Sequence, residues 1–301
     1  MNSLAILLDS VIDYAGLFPP AGLDMAAAVR NYAAYRKGER SWALGRFVVP
    51  VSRLGEFEQE AREHLEQSSG GQAWKLTVLG GSDRSSDIER ILEFNRRHGD
   101  TGSNSAVAAI DAIELKAGDA AEITRDAGVL HKQIETYFEV PVGNSAPPLI
   151  EAISRTGARA KVRTGGATPE LVPSAADLAR FLSLCAGAGV PFKATAGLHH
   201  PIRSFYQLTS GPRSFRYTMH GFLNLMFAAA FTRAGMSAEM TERVLGEEDV
   251  KAFGFASDGA SWREHKLTHH QLLNARSEFV ISFGSCSFEE PLDELKSFNL
   301  I

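Results

Sequence analysis

Cysteine is scarce in this chain: only Cys185 and Cys286 occur among 301 residues. That is too few for a disulfide framework, and no C-x-x-C pair offers a zinc site. No run of lysine and arginine interleaves with aromatic residues, and the formal net charge is −5, so nucleic acid is not an expected partner. No apolar window approaches the length of a membrane span, and the apolar stretch Leu4–Leu8 lacks the basic lead of a signal peptide. A cytoplasmic protein with no membrane partner is the simplest expectation. No segment rich in Gly, Ser or Pro is large enough to divide two domains, so residues 1–301 are read as one.

What is present is a globular composition, 44% hydrophobic and 22% charged, laid out as short apolar strands alternating with helical patterns. Strands are expected near residues 6, 48, 77, 114, 138, 162 and 194, with an eighth over Phe279–Phe283. Helical spacing is read over Asp24–Arg36, Leu54–Gln67 and Ser86–Arg97. This alternation predicts a closed (β/α)8 TIM barrel rather than an open doubly wound sheet. Residues from about 201 to 277 are too many for an ordinary connection. They are read as a long helical insertion between the seventh and eighth strands, serving as a lid or as a subunit contact in a homo-oligomer.

The chain is organised around two matching stretches. One is Ala160-Lys161-Val162-Arg163-Thr164-Gly165-Gly166, the other Phe192-Lys193-Ala194-Thr195-Ala196-Gly197-Leu198. Each reads as a strand with one lysine near its start and small residues at its end. Between them Ser174-Ala175-Ala176-Asp177 opens a helix over Leu178–Ala186, which Gly187 and Gly189 end. Parallel strands flanking one helix aim both lysines at the same end of a barrel, where barrel enzymes keep their active sites. A buried lysine beside a second cation loses its proton more easily, and the neutral amine attacks carbonyls to form a Schiff base. The alternative is structural: either lysine pairs with Glu114 or Glu139 as a buried ion.

Other groups compete for roles. Arg163 shares the strand face of Lys161, where it would clamp a carboxylate or phosphate, or else pair with Glu139. His199 and His200 follow Gly197, and alternation lets one of them share a site with the lysines as a general acid–base. With His220 and a carboxylate they would form a metal site, but no H-x-H or H-E-x-x-H pattern supports one, and no metal is expected. Asp13 and Tyr14, ahead of Phe18-Pro19-Pro20, are read as part of a rigid loop at the mouth. Cys286 is read as a turn residue, because no histidine stands beside it in the sequence.

Lys161-Val162-Arg163-Thr164-Gly165 resembles the K-x-x-T-G strand of the deoxyribose-phosphate aldolase family, class I aldolases whose Schiff-base lysine lies there. Lys193-Ala194-Thr195-Ala196-Gly197-Leu198 is similar to that family's following strand, and Phe283-Gly284-Ser285-Cys286-Ser287 to its last-strand G-x-S-S turn. Phe138-Glu139-Val140 sits where the family carries a glutamate-bearing strand. The likeness covers roughly residues 107–200 and 279–290. The family's fourth-strand aspartate, a proton relay, has two competing counterparts, Asp111 and Glu114; Glu114 is preferred because it shares a strand face with Lys116. Arg163 and the His199-His200 pair are not family features.

The resemblance implies a class I aldolase-like lyase acting on a small phosphorylated or carboxylated carbonyl compound. Lys161 would be the nucleophile, Lys193 its electrostatic partner, and Glu114 or Glu139 the proton carrier, joined by His199. Arg163, Thr164, Gly165, Gly166, Gly197, Gly284, Ser285 and Ser287 would shape the anion pocket, with backbone N–H groups holding phosphate. No organic cofactor is implied. The rivals are a metal-dependent lyase, isomerase or hydrolase using His199, His200 and His220, and a non-catalytic barrel used for binding or assembly.

Overall fold

The computed structural model describes residues 2–67, 72–99, 106–130, 133–207 and 216–301. Seven parallel strands follow one another: β1 (Ile12–Tyr14), β2 (Leu44–Pro50), β3 (Trp74–Leu79), β4 (Ala108–Lys116), β5 (Glu135–Val140), β6 (Arg159–Arg163) and β7 (Phe192–Thr195). Helices separate them: α1 (Ser3–Leu8) precedes β1, then come α2 (Met25–Lys37), α3 (Leu54–Glu66), α4 (Arg84–His98), α5 (Ala120–Val129), α6 (Ala146–Thr156) and α7 (Ala175–Ala188). After β7 the chain makes two antiparallel strands, β8 (Ser204–Gln207) and β9 (Arg216–Met219), and helices α8 (Phe222–Arg233) and α9 (Ala238–Leu245). A three-stranded antiparallel sheet follows, β10 (Phe253–Phe255), β11 (Gly259–Trp262) and β12 (His265–Thr268), then α10 (His269–Glu278). The last barrel strand, β13 (Val280–Ser285), and α11 (Glu289–Ser297) end the chain. β13 pairs in parallel with both β7 and β1, so the eight strands close into the expected (β/α)8 barrel.

The helix starts obey local chemistry. Asp24, Asp83, Asp119 and Ser174 each accept a hydrogen bond from the backbone N–H three residues on, satisfying a donor left free in the first turn. At α7 the expected cap at Ser174 is present, and the helix runs through Gly187 to end at Gly189, whose φ of 64° is left-handed. Contrary to the expectation that no window approaches a membrane span, residues Pro169–Ala188 have the length and mean hydropathy of one. In the fold they are a 3-10 turn and α7, whose Leu178, Phe181 and Leu182 are buried.

Two expectations need correction. The segment near residue 6 is helix, not strand: Asn2 caps it, and Leu4, Leu7 and Leu8 are buried along it. The true first strand is three residues long and carries an aspartate at its centre, so it gives no apolar run to detect. The 201–277 interval is not purely helical, since it holds the five short strands β8 to β12. At three or four residues each, they are too short to imprint an alternation. Its central helix, α8, is buried from Phe222 to Thr232 and packs against α7, α9, α10 and β13. That helix is therefore part of the barrel wall rather than a lid.

Candidate functional site

The barrel interior is polar. Several hydrogen bonds join strands that are not neighbours, and such bonds must cross the lumen. Arg46 on β2 meets Asp111 on β4 at 2.5 Å and Glu135 on β5 at 2.9 Å, and Arg159 on the strand next to β5, β6, also reaches Glu135 at 2.8 Å. Toward the C-terminal ends of the strands lies the lysine layer. Lys193 Nζ on β7 bonds Asp13 Oδ2 on β1 and lies 2.6 Å from Glu114 Oε1 on β4. The other oxygen of Glu114 is 2.8 Å from Lys161 Nζ on β6, and Lys161 is in turn 2.9 Å from Glu139 on β5. A single chain of charges results: Asp13, Lys193, Glu114, Lys161, Glu139.

Strand register explains the convergence. Lys161 stands directly beside Lys193, and Glu139 beside Lys161, in adjacent parallel strands, so their side chains leave the same pleat on the same face. Asp13 is fixed from three sides: its carboxylate accepts the Arg46 backbone N–H at 2.8 Å and the Ser282 hydroxyl at 2.7 Å, besides Lys193. Gly45 makes room for it, since a Cβ there would fall 2.4 Å from Asp13 Oδ1. The Tyr137 ring lies under Lys193 Nζ at 5.4 Å from its centroid, adding a cation–π contact.

The charges differ in access. Lys193 is 1% exposed, whereas Lys161 is 7% exposed and lines a cleft of about 540 Å3 with Glu114, Glu139, Lys116, Gly80 and Arg84. Burial alone would raise Glu114, but Lys193 and Lys161 outweigh it and hold the carboxyl down to about 2. Burial alone would lower Lys193, but Asp13 and Glu114 hold its ammonium above the ordinary lysine range. The direct lysine–lysine influence expected from the sequence is therefore replaced by a shared carboxylate lying between them.

A depressed carboxyl links to stability. Glu114 contributes its stabilisation in full above its ordinary value of 4.5 and loses it as the pH falls toward 2. The stability difference between the native chain and Glu114→Gln is thus expected to shrink steadily from pH 4.5 to pH 2. Urea unfolding at several pH values reads it; a difference that stays constant over that window would contradict the assignment.

The other expected residues are placed less centrally. Arg163 is exposed at the end of β6 and forms no ion pair among the described residues; Glu139 pairs with Lys161 instead. Thr164 donates to the Ala196 carbonyl at 2.5 Å, so its hydroxyl ties the loops after β6 and β7 together. Gly165 and Gly197 touch backbone to backbone: a Cβ on Gly165 would lie 2.7 Å from Gly197 Cα. Gly165→Ala is accordingly expected to cost about 1–3 kcal/mol by overpacking, read as a lower denaturation midpoint; an unchanged midpoint would mean that the loops part freely. Gly166 faces Leu171, and Gly284 lies against Thr195. Ser285 Oγ accepts the Ser287 N–H at 3.3 Å, and Ser287 Oγ accepts the Glu290 N–H at 3.1 Å, so these hydroxyls serve the start of α11.

The histidines do not gather. His199 bonds Glu290 at 3.0 Å, His200 bonds Glu294 at 2.6 Å and stacks on Tyr206, and His220 bonds the Pro173 carbonyl at 2.7 Å. Among the described residues no group of three or more His, Cys, Asp or Glu side chains is arranged to hold a metal ion. Sequence reasoning missed Asp13 as a partner of Lys193, together with Ser282 and the Arg46 cluster. The one available signal was an aspartate inside an apolar Val11–Tyr14 stretch, and the misplaced first strand hid it.

Fold and site together define a (β/α)8 barrel protein whose lumen holds a lysine–carboxylate chain opening on a mouth cleft. No family model matches this chain, and no curated protein does. Among solved structures it is similar to the spore cortex-lytic enzyme SleL of Bacillus megaterium QM B1551, at 10% identity and a TM-score of 0.36. That similarity covers 78% of this chain and 57% of the SleL chain, so this chain spans little more than half of its neighbour's length. The barrel assignment rests on the strand order itself.

Proposed function

We propose that this barrel is a class I aldolase-like lyase, forming a Schiff base between Lys161 and a small carbonyl compound. The observation that carries the reading is the difference in access between two bridged lysines. Lys161 presents its amine to the cleft, while Lys193 is sealed beneath it and held charged by Asp13 and Glu114. This also supports the resemblance to the deoxyribose-phosphate aldolase family, because Glu114 lies where a fourth-strand proton relay would reach both lysines.

The mechanism follows from the bonds. Lys161 must surrender a proton before its nitrogen can attack, and Glu139, the more exposed of its two carboxylates, accepts it and exchanges it with the cleft. The neutral amine adds to the carbonyl carbon and loss of water leaves the iminium. As the Cα–Cβ bond breaks its electrons form an enamine, the β-hydroxyl gives its proton to Glu139 and an aldehyde leaves. Protonation and hydrolysis of the enamine then free Lys161. Glu114 stays ionised, since the Lys193 ammonium remains against it after Lys161 has given up its proton, and its negative charge favours the iminium cation. Lys193 is a positioning residue: it orients Glu114 without touching substrate. Lys116 reaches the cleft with no ion pair among the described residues and is the cation placed to receive the substrate's carboxylate or phosphate.

The test is reductive trapping. Incubation with short aldehydes and 2-keto acids in the presence of borohydride should add one carbonyl-derived mass per chain. Folded protein that gains no mass with any of them would overturn the reading. Lys116→Gln should trap the same carbonyls, with a weaker apparent affinity for anionic ones only; equal loss for neutral aldehydes would remove Lys116 from that role.

A further inference from the structure

A second reactive group lies at the same end of the barrel, beside β7 and β13 and outside the lysine cleft. The cleft is built from the ends of β3, β4, β5 and β6. The other group comes from the loop after β7, the turn after β13 and the first turn of α11. Glu290 Oε2 is 3.0 Å from His199 Nδ1, and His199 Nε2 is 3.9 Å from Cys286 Sγ. Carboxylate, imidazole and thiol thus stand in series, with the carboxylate on one ring nitrogen and the sulfur on the other. His199 and Cys286 are separated along the chain by the whole insertion, so no spacing pattern joins them.

The geometry points to Cys286 as a nucleophile activated by His199 and oriented by Glu290, forming an acyl-transfer site for activated esters and thioesters. In this arrangement the carboxylate fixes the ring so that its other nitrogen faces the sulfur, the logic shared by thiol and serine acyl transferases. Burial alone would lower His199, but the bonds to Cys286 and Glu290 outweigh it and hold the ring up to about 9. Glu289 on α11, Tyr14 on β1 and the neighbouring His200 complete the charged and titratable surroundings. Cys286 also keeps 9% of its surface open, whereas Cys185 keeps none and burial pushes that thiol up. The chain therefore contains its own unreactive control.

The step balances with water as the only co-reactant. The Cys286 sulfur attacks the acyl carbon, forming a C–S bond as the bond to the leaving oxygen or sulfur breaks. The Nε2 proton of His199 passes to the leaving group. Neutral His199 then takes a proton from water, whose oxygen attacks the thioester and releases the acid, restoring thiolate and imidazolium.

The experiment uses the full chain with p-nitrophenyl acetate at neutral pH, followed by peptide mass mapping. One acetyl group on Cys286 and none on Cys185 is expected, with release of nitrophenol that Cys286→Ser abolishes. His199→Gln should slow acylation on the order of 100-fold, and Glu290→Gln should slow it less. Absence of an acetyl group on Cys286 in folded protein overturns the proposal, and so does a rate unchanged in His199→Gln. Circular dichroism checks folding; if His199→Gln does not fold, Glu290→Gln takes its place and an unchanged rate there overturns the proposal. Borohydride trapping at Lys161 is independent of every outcome, so the two sites fail separately.

Discussion

Glu114→Ala is expected to destabilise the barrel by about 3 kcal/mol, the cost of taking one of two carboxylate bonds from each of two buried ammonium groups. Among the described residues Glu114 is the only carboxylate that touches both lysines, and its removal leaves Lys161 with Glu139 and Lys193 with Asp13. Each cation then keeps one partner in a lumen that offers Lys193 no route to water. Chemical denaturation of the variant reads the loss directly. The double variant Glu114→Met with Lys193→Met tests the cause. It still leaves Asp13 facing an apolar neighbour, but the Ser282 hydroxyl and the Arg46 N–H continue to bond that carboxylate. Those two bonds do not replace the Lys193 ammonium, so the double variant should be less stable than Glu114→Ala, and a recovery would contradict the account. If Glu114→Ala costs under about 1 kcal/mol, within the range of an exposed ion pair, the charge chain is not a buried network.

Lys161→Arg is the second large effect. Arginine keeps the positive charge and can still meet Glu114 and Glu139, but its guanidinium does not deprotonate near neutral pH and forms no Schiff base. Stability should change by less than about 1.5 kcal/mol, while trapping and any carbon–carbon cleavage fall to background, a loss on the order of 1000-fold or more. A variant that retains trapping would transfer the chemistry to another amine. The separation of a small stability effect from a complete chemical one distinguishes a nucleophile from a structural ion.

Much of the barrel was legible because its strands are buried on both faces and its helices carry caps. Such strands read as apolar runs, and caps such as Asp24 and Ser174 mark where each helix begins. What the sequence did not carry were the pieces defined by tertiary contact. β1 is three residues long around a buried aspartate, and only the closed barrel reveals that Asp13 faces Lys193. Lysine pairing is legible as register, since both lysines stand near the start of matching strands; Asp111 and Glu114 compete in the sequence for the relay position, with Glu114 preferred, and neither is expected between the lysines. The structure separates those two, giving Asp111 to Arg46 and Glu114 to the lysines. Strand alternation lets one of His199 and His200 share the lysine site, but the loop after Gly197 carries His199 to Cys286 and Glu290 and His200 to Glu294. No spacing rule links residues separated by an insertion that itself forms part of the wall.

The most direct measurement is peptide mapping of the native chain after borohydride reduction with a bound carbonyl compound. The proposal predicts a single adduct on Lys161, the amine that faces the cleft, and none on Lys193. An adduct on Lys193, or folded protein carrying none at either lysine, would contradict it.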